Sequence, residues 1–426
     1  MSSFLGRMNQ VVSIFFALGV FFSGIQALAQ ESSAYHFDEE PNISAPSLAP
    51  PAPAPVLDLA YIDQRAEKLM QEDQMIGFAL AVVEKGEISF VKGYGKTYPG
   101  GPAVDKDTVF RWASLSKGMA GTLAGVLNKN GALDLKAPIS DFHTSLRLPK
   151  NGLSTLKVED ILSHQLGIVP NAYDTRLEDG IDPKIIRKDL GKLTNICTPG
   201  ECHSYQNVAF DTISEVMAEA TGKDYKDLVT EYIFAPLNMR SASLTKDDLK
   251  RTGNWARPFG YSSGISMMRP VELNDNYYKV PAAGGMNSSI EDLAQYMRAQ
   301  MGLVPEVLPE DVLQEIHTPR TPTWKERNRM RRKSSHVTHA DYALGWRVYD
   351  YAGHKLIGHR GAVRGYRAMI LFDPVLDTGI VAMWNSTSSK PVGLQFELMD
   401  MAYGFERTKW MQLTSDESEP IRHGGD

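Results

Sequence analysis

Apolar residues recur at helical spacing between positions 57 and 73, at Leu59, Ile62, Ala66, Leu69 and Met70, and predict an amphipathic helix. The period then changes. Phe78 to Val83 is an unbroken apolar run, as expected of a strand buried on both faces. Glu84-Lys85-Gly86-Glu87 reads as a turn, and residues 88–94 as the returning strand. A segment rich in small and apolar residues, 118–127, predicts a helix that opens near Ser114 and stops at Asn130-Gly131, with glycine as the cap. From Asn130 to about Leu313 helical segments alternate with loops. Strand-like runs follow at 344–349, 355–359, 366–372 and 379–384, separated by glycine or Asp-Pro turns, and a last helix covers about 392–403. Strands at both ends with helices between them predict an α+β fold. One antiparallel sheet is built from both chain ends and flanked by helices, with an inserted, mostly helical part.

The termini carry segments of a different kind. Arg7 precedes an apolar run from Val11 to Ile25, and Ala27-Leu28-Ala29 follows as a small-residue cleavage pattern. Residues 1–29 therefore read as a signal peptide, too short in their apolar part for the roughly 20 residues of a membrane span. An uncleaved anchor is the alternative. Residues 30–56 turn Pro/Ala-rich and predict an extended linker. The catalytic body is then 57–406, with a polar tail at 407–426, and the expected location is periplasmic or secreted, with no stable membrane span after cleavage. An apolar content of 42% suits a sizeable core, and a net charge of −6 gives no reason to expect nucleic-acid binding.

The candidate chemistry centres on Ser114-Leu115-Ser116-Lys117. Residues i and i+3 share a helix face, so a lysine amine at 117 can take the proton of a serine hydroxyl at 114. Ser-x-x-Lys also occurs at Ser89, Ser154 and Ser243. Ser89 lies in a strand-like run, where i and i+3 face opposite sides. Ser154 and Ser243 precede helix-like segments and read as caps. Only Ser114 opens a long helix, whose N-terminus favours developing negative charge.

Two further elements come later in chain order: Tyr205-Gln206-Asn207, the only Tyr-x-Asn here, and His359-Arg360-Gly361 in the strand-rich region. With Ser114-x-x-Lys117 they resemble the three motifs of the serine β-lactamase and penicillin-binding protein superfamily, and the tyrosine points to the class C β-lactamase-like branch. Asp160-Ile161-Leu162-Ser163-His164-Gln165-Leu166-Gly167, Pro281-Ala282-Ala283-Gly284-Gly285-Met286 and Tyr342-Ala343-Leu344-Gly345-Trp346 are similar to other segments of that family. The chain departs from it in two places. His359 stands where β-lactamases usually carry the lysine of Lys-Thr-Gly, and Gln165-Leu166 replaces the usual Thr-Ser.

The resemblance implies an exported serine acyl-hydrolase, with no cofactor, acting on a β-lactam, a D-Ala peptide or a small ester. Ser114 would form the acyl-enzyme, and Lys117 and Tyr205 would move the proton. Asn207 would bind the substrate amide or Lys117. The backbone N–H groups of Ser114 and Ala362 would hold the oxyanion, Gly361 would permit close approach, and His359, once protonated, would bind a substrate carboxylate. A histidine that is mostly neutral at pH 7 implies weak hydrolysis of carboxylate-bearing β-lactams and better activity on neutral esters or amides. Cell-wall peptidoglycan is the expected larger partner. The alternative of another class is a catalytically silent module that binds cell-wall peptides. No cluster has metal-ligand spacing beyond the weak pair His336 and His339, too few for a metal site. Cys197 and Cys202 flank a Pro-Gly turn, and in an exported protein this spacing admits a local disulfide; two free buried thiols are the alternative. The basic run 325–333 reads as a solvated loop, or as a contact for anionic polymer or lipid.

Overall fold

The structure is a computed structural model that describes residues 56–262 and 265–416. The expected signal peptide and linker lie outside the described residues, as does the tail beyond 416.

An eight-stranded antiparallel sheet is assembled from β1 (Gly77–Glu84), β2 (Glu87–Gly95), β3 (Thr321–Pro322), β4 (Val337–Tyr342), β5 (Arg347–Tyr351), β6 (His354–Val363), β7 (Tyr366–Asp373) and β8 (Thr378–Trp384). Their spatial order is β2-β1-β8-β7-β6-β5-β4-β3. The two chain ends meet where β1 pairs with β8, Phe78 opposite Trp384 and Val83 opposite Gly379. The helices that cover this sheet or carry residues of the site are α1 (Leu59–Leu69), α2 (Ser116–Lys129), α3 (Asp174–Glu178), α4 (Ile290–Gln300), α5 (Trp324–Arg331) and α6 (Val392–Ala402).

The unbroken apolar run of β1 has a direct cause. Alternate residues face opposite sides of a strand, and both sides here are covered. Ala79, Ala81 and Val83 enter the core shared with α2, α4 and the helical part. Phe78, Leu80 and Val82 enter a second core beneath α1 and α6. The second core also holds a buried cation. Arg65 of α1 is 1% exposed and pairs with Glu397 of α6 at 2.7 Å and with Asp416 at 2.5 Å. Through this pair and the buried side chains of Met411 and Leu413, residues 407–416 belong to the packed body rather than to a polar tail.

Three expectations about elements need correction. Residues 344–346 do not begin a strand. They form a tight turn pressed onto α2, with Gly345 at φ +78°, and β5 starts only at Arg347. The strand predicted at 355–359 runs on to Val363, which brings Gly361 and Ala362 into the sheet. The basic run is a helix, α5, not a loop. Its only acid, Glu326, turns inward to Arg347 and Arg360, while Lys325, Arg329 and Arg331 stay exposed.

The small residues of α2 are explained by the same turn. A Cβ on Gly121 would sit 1.8 Å from the Leu344 carbonyl oxygen, and one on Gly118 would sit 2.9 Å from the Trp346 ring. Replacing a mid-helix glycine by alanine ordinarily stabilises a helix by roughly 1 kcal/mol. Gly121→Ala should instead destabilise the protein by about 1–3 kcal/mol, because backbone must move to admit the methyl group. A urea midpoint at or above that of the native protein would contradict this packing.

Candidate active site

Ser114 lies in a single 3-10 turn, Ala113–Leu115, immediately ahead of α2. It is partly exposed while its neighbours are buried. The turn is strained and tightly held. Ala113 adopts φ +50°. The Trp112 N–H donates to Met286 O at 2.8 Å, the Ser116 hydroxyl donates to Ala113 O at 2.7 Å, and the Met286 N–H donates to that same hydroxyl at 3.2 Å. Segment 281–289 thus clamps the Ser114 turn from one side. β6 closes it from the other side, since a Cβ on Gly361 would fall 2.0 Å from Trp112 O. Only glycine allows that approach.

Lys117 is fully buried. An ammonium has three donors, and three acceptors surround this one: Ser114 Oγ at 3.4 Å, Asn207 Oδ1 at 2.7 Å and Ala283 O at 2.9 Å. The Tyr205 ring lies 4.8 Å from Nζ, and the Phe210 ring 5.4 Å. Arg347 lies 5.6 Å from the same ring, so two cations stand beside the tyrosine. The Tyr205 hydroxyl has no hydrogen-bond partner among the described residues.

Asn207 is oriented by a residue that the sequence does not flag. Its Nδ2 donates to Asp174 Oδ2 at 2.6 Å, which leaves Oδ1 for Lys117. Burial raises the Asp174 pKa above the ordinary carboxylate value, against the opposing pull of the Asn207 bond and Lys117. Asp174 opens the five-residue helix α3, just after Tyr173 at φ +59°. It stands 33 residues from Asn207, and no local pattern announces it.

His359 is 1% exposed. Its ring closes a chain of hydrogen bonds whose directions are fixed at both ends. The Gln206 N–H donates to His164 Nδ1 at 3.2 Å, so the His164 proton resides on Nε2, which faces the Tyr342 hydroxyl at 3.2 Å. That hydroxyl donates in turn to His359 Nε2 at 3.0 Å, and His359 Nδ1 donates to Arg360 O at 2.9 Å. Both imidazoles are neutral. Burial pushes their pKa values well below the usual 6.5; Arg347 and Lys117 push His359 further the same way, and His203 and Lys117 do so for His164. Direct binding of a substrate carboxylate by protonated His359 does not fit this environment. Its nitrogens are spent inside the protein, and a proton there would be desolvated between two cations.

Ala362 is exposed at the free edge of β6. β5 pairs with β6 only as far as Gly358. The β6–β7 hairpin closes at Val363 opposite Tyr366 around a two-residue turn. Alternation in an antiparallel pair then points the Ala362 N–H away from β7, towards the unpaired side. This is the side on which Gly361 meets the Ser114 turn.

Cys197 and Cys202 are joined in a disulfide. The loop they close lies on the segment that carries His164: the Ile196 N–H donates to Gly167 O at 2.8 Å and the Gly200 N–H to Gln165 O at 2.7 Å. Ser204 N–H then donates to His164 O at 2.8 Å, which sets the approach to Tyr205.

Fold and the arrangement of these residues are of the β-lactamase type. The chain belongs to the Beta-lactamase family, whose profile matches residues 62–400. Among curated relatives, the Unguisins hydrolase ungD' of Aspergillus campestris (strain IBT 28561) is 27% identical over 358 residues, 79% of this chain. The chain spans 65% of the length of that relative. Two solved structures share the fold. The octameric penicillin-binding protein homologue from Pyrococcus abyssi has a TM-score of 0.73 at 20% identity, over 82% of this chain and 78% of that one. The Beta-Lactamase/D-Alanine Carboxypeptidase from Pseudomonas syringae has a TM-score of 0.66 at 20% identity, over 81% and 98%. No described helix is long and apolar enough to cross a membrane.

The neutral histidines make stability depend on pH. Unfolded, each takes a proton below about pH 6.5; folded, it does not. The unfolded state therefore binds more protons there, and stability present above pH 6.5 is lost as the pH falls through it, by about 1.4 kcal/mol per pH unit for each histidine. Urea midpoints should drop between pH 7.5 and 5.5, and His359→Asn should flatten that slope by about one proton's worth. An unchanged slope would mean that His359 is protonated in the folded protein.

Proposed function

We propose that the chain is an exported serine hydrolase that forms an acyl-enzyme on Ser114 and hydrolyses an amide or ester bond. The observation that carries this reading is the Lys117 amine, buried and 3.4 Å from Ser114 Oγ. A serine needs such a base, and hydrogen bonds at a resting site commonly tighten only with substrate bound. In the proposed cycle Lys117 reacts as the neutral amine, its resting ammonium having released one proton to solvent, and takes the Ser114 proton as Oγ attacks the carbonyl. The N–H groups of Ser114 and Ala362 hold the oxyanion. Tyr205, beside Lys117 and Arg347, gives its hydroxyl proton to the leaving nitrogen or oxygen and is reprotonated by Lys117. Water then attacks the acyl-enzyme by the reverse path and frees Ser114.

Export is part of the proposal, and the Cys197–Cys202 disulfide supports it, since such bonds persist in oxidising compartments. A neutral His359 supports substrates whose reacting end carries no carboxylate for the third motif to hold. Turnover of a β-lactam, a D-Ala-D-Ala peptide and a short nitrophenyl ester by the mature protein would rank the three substrate classes. The reading of a silent module requires that neither a fluorescent penicillin nor a fluorophosphonate label the protein.

Ser114→Ala should abolish turnover of a nitrophenyl ester or chromogenic cephalosporin with the circular dichroism spectrum unchanged; native-level activity would place the nucleophile elsewhere. Lys117→Ala should lower kcat by about 10²–10⁴-fold with a much smaller effect on KM. A loss confined to KM would make Lys117 a binding group only. Asp174→Ala should lower kcat by roughly 10- to 100-fold by freeing the Asn207 amide to turn, while Asp174→Asn, which keeps an acceptor for Nδ2, should retain most of it. Equal losses in the two variants would count against an orienting role.

A further inference from the structure

Two cavities adjoin along the far end of β6. The first, a cleft of about 370 Å³, includes Ala362 in its wall, together with Arg111, Arg364 and Arg367. The second is larger, about 740 Å³, and its walls are Tyr98, Trp255, Phe259 and Val271 with Lys246, Lys250 and Arg257. Glu272 and Leu273 belong to both.

Backbone contacts tie the walls of both to the segments that hold the Ser114 turn. The β6–β7 hairpin ends at Arg364-Gly365, and Gly365 packs so closely on Pro258 of the larger cavity that a Cβ would fall 2.4 Å from the proline ring. The Val109 N–H donates to Asn254 O at 3.0 Å and the Ala256 N–H donates to Val109 O at 3.0 Å, which ties the Trp255 segment to the strand leading into Ser114. The Tyr366 hydroxyl fastens the same segment through Ala256 O at 2.6 Å.

The charge of this groove runs against that of the whole chain. Six cationic side chains line it, against the carboxylates of Glu178 and Glu272, while the net charge of the protein is −6. Lys246 is engaged by Asp275 at 2.8 Å. Arg257 and Lys250 have no ionic partner among the described residues. Arg257 is exposed and lies 3.8 Å over the Tyr98 ring, held as a flat cationic platform beside an aromatic wall. The larger cavity, walled mainly by apolar and aromatic side chains with Lys250 and Arg257 among them, suits a bulky side chain next to an anionic group.

We propose that the two cavities form one substrate groove for an extended acidic peptide, whose bulky apolar side chain fills the larger cavity and whose carboxylate is held by Arg257 and Lys250. The proposal rests on the reading of Ser114 as the nucleophile. It moves recognition of the substrate's charge from the third motif, where His359 is neutral, to a subsite beyond the hairpin tip.

The test is calorimetric binding of two peptides, N-acetyl-Phe-Glu-amide and N-acetyl-Phe-Gln-amide, to the full chain carrying Ser114→Ala. Binding then does not depend on turnover, and a failure of Ser114 as nucleophile would appear in rate measurements while leaving this comparison intact. The acidic peptide should bind about tenfold more tightly at low salt. That preference should shrink at high salt. It should vanish when Arg257→Ala and Lys250→Ala are added, with the melting curve showing that this variant is folded. Equal affinity for the two peptides, binding of neither, or a preference that survives the added substitutions would overturn the proposal.

Discussion

Burying the Lys117 amine imposes the constraint that organises the site. A desolvated ammonium must find an acceptor for each of its three donors, and an unmet donor in such a place costs about 1–3 kcal/mol or more. One acceptor is local, in the Ser114 turn, and two come from distant parts of the chain, Asn207 and the Ala283 carbonyl. Satisfying the lysine therefore brings together the segments that surround Ser114. The requirement spreads outward. Asn207 can present its oxygen only because Asp174 takes its nitrogen, and segment 281–289 reaches Lys117 only because Met286 is bonded to Trp112 and Ser116.

A second constraint runs through the sheet. The Tyr342 hydroxyl sits between two imidazoles, and the Gln206 N–H at one end and the Arg360 carbonyl at the other leave one consistent arrangement of protons. Arg347, held by buried Glu326, adds positive charge to the same region. Although burial alone would raise the Glu326 pKa, Arg347 and Arg360 hold it well below the usual carboxylate range. The site thus carries its cations in Lys117 and Arg347, beside the tyrosine, and keeps its third motif uncharged.

Much of this was legible in the order of residues. The continuous apolar run of β1 marked a strand covered on both faces, and its alternation between two cores is the physical reason. Ser114, Lys117, Tyr205 and Asn207 could be placed near one another because their spacing and order resemble a known family. The roles of partners distant in sequence were hidden. Nothing near Asp174 points to Asn207, and a histidine at 359 reads as a titrating, substrate-binding group until Tyr342 and Arg347 are seen to enclose it. A run of basic residues concealed the one acid, Glu326, that makes α5 part of the core. Residues 407–416 looked polar because their anchoring depends on Arg65, more than three hundred positions earlier.

The mechanism stands or falls on covalent acylation of Ser114, activated by Lys117. Its sharpest test is peptide mapping by mass spectrometry after brief exposure of the full chain to a fluorophosphonate. One adduct is expected, on the peptide that contains Ser114, formed at a far lower rate in Lys117→Ala. An adduct on any other residue, or labelling of Lys117→Ala at the native rate, would contradict it.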